Sequence, residues 1–371
     1  MSGLQIDDVT TREAADRWHQ VAAACSAADY VTMPADPVQA VYERIENTCP
    51  DQHQELWLGS SGSHPVATAS LNLPMLDNVT TAVVDVRVHP AFRRQGYGRS
   101  MLDHVIKQAT AQGRQRLIAD VCEPLAGEAA AEPSAGQLFA GAAGAKPVTS
   151  EIRRMLTISN LDDDHLATLH ADAIAHSGDY SLVQWAGAAP AELVDDLAAL
   201  EGRMSTDAPF EDLNWEPEQW TAERYRDREH SIAAGGRVRL TTAARHDATG
   251  QIVACTELVT TSALPAFASQ WSTIVMGEHR GHRLGMLVKL ANLQFLRTRR
   301  PRVRFINTWN AGVNAHMVSI NEALGFRAVE RWREWQLDLA AADTAPHSPE
   351  FDHVQGVPTP DDRPAALSSG G

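Results

Sequence analysis

The sequence predicts an α/β (α+β) protein in which one mixed, mostly antiparallel unit is built twice. Three observations carry this reading. Runs rich in β-branched residues alternate with amphipathic stretches of helical period along residues 1–340. A basic, glycine-rich loop between such a run and such a stretch occurs twice, at 93–98 and 280–285. Its last glycines, Gly98 and Gly285, lie 187 residues apart (285 − 98), about half of the 371-residue chain. The order downstream of each loop also repeats, as helix, strand, helix, strand.

Upstream of the first loop, 55–59 and 66–73 read as a hairpin-like strand pair and 83–88 as the strand feeding the loop. The helix beyond runs to about residue 112, followed by an apolar strand at 116–121, a short helix at 134–143 and a strand at 148–158. In the second half, strands at 238–244 and 252–260 flank the turn residues Asp247-Ala248-Thr249-Gly250, and 273–276 feeds the second loop. A helix at 284–297, a strand at 302–308, a helix at 313–324 and a strand at 327–339 follow. The acidic stretch Asn160-Leu161-Asp162-Asp163-Asp164-His165 lies near the middle and reads as a linker or a helix start. The expected organisation is therefore a first domain over 1–159 and a second over 160–340. Residues 341–371, rich in Pro, Asp, Ser and Ala with no apolar period, are expected to be a disordered tail.

Composition excludes several classes of function. A 44% hydrophobic and 21% charged chain folds conventionally. With 32 Lys and Arg against 47 Asp and Glu, the net charge is −15, which argues against nucleic acid, whose phosphates require a basic surface. No apolar run is long enough to span a bilayer and the N-terminus has no export signal, so neither a membrane nor secretion is expected. Cys25, Cys49, Cys122 and Cys255 are scattered, which suggests neither a disulfide framework nor a zinc site and fits a reducing cytoplasm. The acidic balance suits a cationic or amine-bearing small partner.

A glycine-rich loop between strand and helix presents successive backbone N–H groups, with the helix dipole, to a pyrophosphate. Taken alone each loop reads equally as a plain turn; the recurrence at an equivalent place favours function. The residues resemble the GCN5-related N-acetyltransferases (GNAT), whose signature is Arg or Gln, two residues, Gly, one residue, then Gly or Ala. Arg93, Gly96 and Gly98 match it fully. Arg280 and Gly285 match, whereas Arg283 stands where the middle glycine is expected. The remaining second-half motifs are His279 to Gly285 with Lys289 and Asn292, then Thr308-Trp309-Asn310, Asn314, Met317, and Asn321 with Gly325-Phe326. They are similar to a tandem form common in actinobacteria, distantly like mycothiol synthase in layout.

That resemblance implies two tandem GNAT folds whose fourth and fifth strands splay apart, so that the pantetheine arm of acetyl-CoA pairs there like an added strand. It implies a cofactor site at Val88, Arg93, Arg94, Gln95, Gly96, Tyr97 and Gly98 in the first half. In the second it implies Met276, Arg280, Gly281, His282, Arg283, Leu284, Gly285, Asn310 and Asn314, the last two being equally suited to cap a helix. A monomer or a homodimer fits the resemblance.

Acetyl transfer to an amine requires the neutral amine, hence a base, and a proton for the departing thiolate. The family places a carboxylate on strand four or a neighbour, and a tyrosine on the last helix as acid. Glu257, within the apolar strand 252–260, is the candidate base. Asp85 is its first-half counterpart, or a solvent-facing strand residue. The tyrosine position is Asn321 in the second half and Ala140 in the first, so the proton comes from water or from another group. His279, His282 and His316 read as loop or cofactor-facing residues, and Trp215, Trp220, Trp271 and Trp309 as acceptor-pocket walls or core. The expected activity is acetyl-CoA-dependent N-acetylation of a small-molecule primary amine, with catalysis in the second half. The alternative is an acyl-CoA-binding module without chemistry.

Overall fold

The computed structural model describes residues 3–47, 49–125, 132–207 and 216–339, without the side chains of 205–207. The expected disordered tail and Trp215 lie outside the described residues. Residues 1–340 belong to one compact unit.

The first half runs β1 (Gln5–Asp8), α1 (Arg12–Asp29), α2 (Val38–Glu46), β2 (Gln52–Ser61), β3 (His64–Pro74), β4 (Thr81–Val88), α3 (Tyr97–Ala111), β5 (Arg116–Pro124), α4 (Ala135–Ala142) and β6 (Lys146–Thr157). The second repeats the plan after α5 (Asp163–Ala175). It continues with β7 (Tyr180–Ala186), α6 (Val194–Asp207), α7 (Ala222–Ala234), β8 (Arg237–His246), β9 (Ile252–Thr261), β10 (Phe267–Val275), α8 (Leu284–Arg299), β11 (Phe305–Ala311), α9 (Ala315–Ala323) and β12 (Arg327–Asp338).

Local chemistry sets the helix starts. Thr11, Asp162, Thr221 and Asn314 each accept a first-turn backbone N–H, and Ser134 with Gln137 closes a reciprocal capping box on α4. Alternation on β2 and β3 then separates two layers. Trp57, Ala69, Leu71 and Leu73 face Met101, Leu102, Val105 and Ala109 of α3, while Leu56 and Leu58 face Trp18 and Val41 of α1 and α2. Burying each of the large α3 side chains contributes about 1.5–3 kcal/mol. In the second half β9 is buried from Ile252 to Thr260, and α8 from Leu284 to Leu290. Where α2 meets α7, Ser231 donates to Glu43 at 2.7 Å, so α1, α2, α6 and α7 share one face of the sheet.

All twelve strands form one sheet in the order β1-β2-β3-β4-β5-β12-β6-β11-β10-β9-β8-β7. Its centre holds a reciprocal exchange. The last strand of the first half, β6, pairs with β11, and the last strand of the second, β12, pairs with β5. A chain division at 159 and 160 falls in the single turn Ile158–Asn160, but the sheet has no seam there. The exchanged strands are locked by Arg153 on β6, fully buried and paired with Glu330 of β12 at 2.7 Å. Arg153 also donates to Asn307 Oδ1 at 2.6 Å and to the Val31 carbonyl, and Glu330 accepts the Val31 N–H.

Most expected elements fall within a few residues of the observed ones. Two in the second half differ. The fourth strand begins at Phe267 rather than near 273, and the fifth spans Phe305–Ala311 rather than 302–308, because Pro301 and Arg302 turn the chain out of α8.

Candidate functional site

Each half opens the same gap in the sheet. β4 and β5 run parallel and pair only through Thr81–Arg116, Ala82–Leu117 and Val83–Ile118 before diverging. β10 and β11 likewise pair only through Phe267–Phe305, Ala268–Ile306 and Ser269–Asn307. The free strand edges beyond these pairs carry unspent backbone donors and acceptors, the requirement for holding an extended amide-bearing chain.

A single-turn helix leads from each gap to a loop, Pro90–Phe92 in the first half and Gly277–His279 in the second. In the first loop the left-handed residues are Arg94 (φ 64°) and Gly96 (φ 88°); in the second they are Gly281 (φ 90°) and Arg283 (φ 57°). The loops thus have the same alternating shape with glycine and arginine exchanged between the two left-handed positions. Arg283, the departure from the family signature, therefore leaves the backbone path intact. Among the described residues no side chain caps α3 or α8, which leaves the first-turn N–H groups of both helices to an anion.

Gly98 and Gly285 serve packing. A Cβ on Gly98 would lie 3.3 Å from Phe139 of α4, and one on Gly285 would lie 3.4 Å from Ile320 of α9. The two arginines that open the signature turn back onto the ends of the preceding strands. Arg93 Nε donates to the Val88 carbonyl at 3.1 Å while its guanidinium pairs with Asp29 at 2.6 Å, and Arg280 Nε donates to the Val275 carbonyl at 3.4 Å. They brace the loops against the strand ends. Arg94, Gln95, Gly281, His282 and Arg283 are exposed, and Tyr97 donates to Ser61 at 3.2 Å. Leu284 and Met276 are buried where α8 meets β10, and Val88 is half-buried.

Asn314 caps α9 by accepting the Met317 N–H at 3.2 Å. Asn310 Oδ1 accepts from Asn321 Nδ2 at 2.6 Å, so the residue in the tyrosine position is tied to β11, and Asn321 Oδ1 has no hydrogen-bond partner among the described residues. His279 Nδ1 meets the Tyr180 hydroxyl at 2.9 Å, and the His246 and His282 rings pack around the same tyrosine; His316 is exposed on α9.

The halves differ in the strand itself. β4 pairs with β3 in unbroken register from Val83 to Val88, whereas β10 has a bulge between Gln270 and Thr273. The last paired residues before the gaps, Val83 and Ser269, are 186 apart (269 − 83), one less than the loop glycines. β10 therefore carries one extra residue, which re-aims the strand where the gap opens.

Glu257 lies across from this bulge. Its carbonyl accepts from Gln270 Nε2 at 2.7 Å, and its side chain enters the α6/α7 face. There Oε1 accepts from Arg239 at 3.0 Å, Arg239 also binds Glu229 at 2.5 Å, and Arg228 binds Glu201 at 2.9 Å. Among the described residues, Glu257 Oε2, Thr241 Oγ1 on the facing strand and Tyr225 Oη near Glu257 are buried without hydrogen-bond partners. Burial pushes the Glu257 carboxyl above its ordinary range, against the pull of Arg239. Asp85, by contrast, is half-buried and pairs with Arg87 at 2.6 Å. Both line a cavity of about 220 Å³ beneath α1 and α2, with His19, Ser70 and Asn72. A larger cavity of about 670 Å³ lies at the edge of β2, beyond β3 from the gap.

Between the two gaps, on the face of α1, the exchanged strands assemble a floor that local sequence does not announce. Asp85 (β4), Asp120 (β5), Glu151 (β6) and Glu334 (β12) neighbour one another, beside Tyr30, Trp309 and Trp332. The Tyr30 and Trp332 ring centroids are 5.0 Å apart, and those of Trp309 and Trp332 are 6.1 Å apart. Burial, reinforced by mutual repulsion, pushes Glu151 and Glu334 up to about 7 and Asp120 to about 6. Asp120 is exposed at the rim of this group, whereas Glu151 and Glu334 are half-buried. Trp271, within the bulge, has the Arg228 guanidinium 5.7 Å from its ring, and Trp220 has that of Arg224 at 4.5 Å.

The sequence model of the Acetyltransferase (GNAT) family matches residues 18–130. The first half is a GNAT domain. Across the whole chain, a tandem GNAT protein from the clavulanic acid biosynthesis pathway is similar in structure. It is 29% identical with a TM-score of 0.77, covering 92% of this chain and all of that one. The fold, one sheet opened at two gaps, is that of a tandem GNAT protein. A GCN5-related N-acetyltransferase from Sphaerobacter thermophilus shares the fold at 14% identity and a TM-score of 0.59, over 91% of this chain and 96% of its own. So does the glucosamine N-acetyltransferase region of a fungal multi-domain β-N-acetylglucosaminidase, at 12% identity and 0.64, over 91% of this chain and 38% of that one. No curated protein matches the sequence. Among the described residues no helix is long and apolar enough to cross a membrane.

Acetyl-CoA, which this family's acetyltransferases use, fits the residues present. The paired loops offer uncapped helix N-termini, the gaps offer free strand edges, and the glycines at 98 and 285 keep each loop helix tight against the helix behind it.

Proposed function

We propose that this tandem GNAT protein transfers the acetyl group of acetyl-CoA to a primary amine of a cationic small molecule, with the chemistry in the second half. The observation that carries this reading is the bulge in β10 with Glu257 across from it, a feature β4 lacks. Loop 280–285 and α8 would hold the pyrophosphate, and the β10 and β11 edges the pantetheine. The bulge would offer re-aimed backbone groups to the thioester carbonyl.

Glu257 is suited to proton acceptance. One carboxylate oxygen is held by Arg239 and the other is free, and burial raises its basicity. The acceptor amine, once neutral, attacks the carbonyl carbon, and its surplus proton passes to Glu257 directly or through a bridging water. The floor of Glu151, Glu334, Asp120 and Asp85 with Tyr30, Trp309 and Trp332 supports a cationic acceptor, since carboxylates crowded together are relieved by a positive guest and aromatic faces attract one.

The reading is tested by following thiol release from acetyl-CoA with spermidine, agmatine and an aminoglycoside against glutamate as an anionic amine, in wild type and Glu257→Gln. Turnover with the cationic amines that Glu257→Gln abolishes is expected; undiminished turnover in the variant removes Glu257 as base. One observation favours a second reading, an acyl-CoA-binding module without chemistry: Asn321 and Ala140 stand at both tyrosine positions. Tight acetyl-CoA binding with no turnover on any of these amines would support it.

A further inference from the structure

One cation of the second half, Lys289, is buried away from the Glu257 cluster. Lys289 projects from α8, is 3% exposed, and makes no ion pair among the described residues. Its Nζ lies 3.5 Å from Thr273 Oγ1, the first residue after the bulge, and 5.8 Å from the centre of the Phe326 ring. Thr273 Oγ1 is 2.7 Å from Thr256 Oγ1, and Gln270 Nε2 donates to Thr256 Oγ1 at 3.0 Å and to the Glu257 carbonyl at 2.7 Å. The ammonium thus ends a polar chain wrapped around the bulge, on the sheet face opposite the Glu257 carboxylate. The groups facing it are uncharged: Thr273 and Gln270 from β10, Thr256 from β9 and Phe326 before β12. Asn321, in the tyrosine position, is fully buried on α9, which packs against the start of α8 through Ile320 and Gly285.

We infer that Lys289 is the proton donor to the departing CoA sulfur, taking over the task of the missing tyrosine. This rests on the acetyl-CoA reading above. As the C–N bond forms and the C–S bond breaks, the electron pair moves to sulfur, which takes a proton from Lys289 Nζ. The amine's proton leaves on the opposite face toward Glu257, and solvent restores the proton on Lys289. Burial pushes Lys289 down to about 7, so the group is poised to give up its proton near neutrality, and a thiolate beside it restores the charge that burial opposes. A buried lysine with no carboxylate is otherwise an unexplained destabilisation in a helix buried from Leu284 to Leu290.

The test needs no acceptor and uses CoA itself as probe. Binding of CoA to wild type, Lys289→Met and Lys289→Arg is first established by calorimetry. The thiol of bound CoA is then titrated by thiolate ultraviolet absorbance, with the desulfo-CoA complex as blank. The thiol in wild type is expected to ionise at least about one pH unit below that in Lys289→Met, with Lys289→Arg recovering most of the shift. Equal midpoints in wild type and Lys289→Met, with both binding CoA, would overturn the role of Lys289 and leave the acetyl-CoA reading standing. Absence of CoA binding by wild type would overturn both. Should Lys289→Met fail to fold, Thr273→Val replaces it and is expected to raise the midpoint toward that of free CoA; an unchanged midpoint there also overturns the inference.

Discussion

The two halves present the same opened strand pair and loop with different side chains built around them. Each gap opens after three paired residues and each loop has two left-handed residues two positions apart, with glycine and arginine interchanged. Beyond the scaffold they part. β4 is regular and its carboxylate, Asp85, is half-exposed against Arg87; β10 is bulged, with buried Glu257 on one face and buried Lys289 on the other. What divides the halves is one residue inserted in a strand and the two charges placed around it. A duplicated fold can keep its loop geometry through backbone conformation while the adjoining strand changes by a register shift that leaves the loops alone.

The largest expected effect concerns what joins the halves. Replacing Arg153 by Met strands the fully buried Glu330 carboxylate, and a loss of about 3–5 kcal/mol in denaturant unfolding is expected. The double variant Arg153→Met with Glu330→Leu should recover most of it. A loss under about 1 kcal/mol for the single variant would mean that the exchanged strands do not depend on this pair.

Next comes the asymmetry in chemistry. Glu257→Gln is expected to lower kcat by about 100-fold or more with acetyl-CoA affinity unchanged, while Asp85→Asn changes kcat by less than about threefold. The reverse ranking in steady-state kinetics would move catalysis to the first half.

The shared floor gives a pH dependence. Glu151 and Glu334 are held near 7 by burial and by their acidic neighbours, so both gain protons as pH falls through about 7 and lose the charge a cationic acceptor needs. The acceptor KM is expected to rise about tenfold between pH 8 and pH 6, at constant acetyl-CoA affinity, and to flatten in Glu151→Gln and Glu334→Gln. A KM independent of pH in wild type would remove the floor from acceptor binding.

The smallest effect tests the loop comparison. Arg283→Gly relieves a left-handed arginine but removes its exposed contact with Asp172 and adds backbone freedom to the unfolded chain. A net gain of up to about 1 kcal/mol in thermal unfolding is expected, with acetyl-CoA affinity unchanged.

Much of this was legible in the sequence, for physical reasons that also mark where legibility ends. The repeat, both loops and most strands follow from period and turn chemistry, which are local. Lys289 was visible as a lone charge in the run Leu284 to Leu290, although its burial shows only once α8 is packed. The bulge was not visible, because Gln270-Trp271-Ser272-Thr273 carries no alternation to betray an extra residue. The exchange of β6 and β12 was hidden because a strand's pattern specifies its faces and not its partner. The acidic floor was hidden with it, since Glu151 and Glu334 join Asp85 and Asp120 only through that exchange.

The most direct measurement is calorimetric titration of acetyl-CoA into wild type, Gln95→Glu and His282→Glu, each variant placing a carboxylate at an exposed, equivalent position of one loop. Two equivalents bound by wild type and one by each variant are expected, with both variants folded. Binding that is unaltered by His282→Glu would contradict this, because the bulged gap would then hold no donor for Glu257 and Lys289 to act upon.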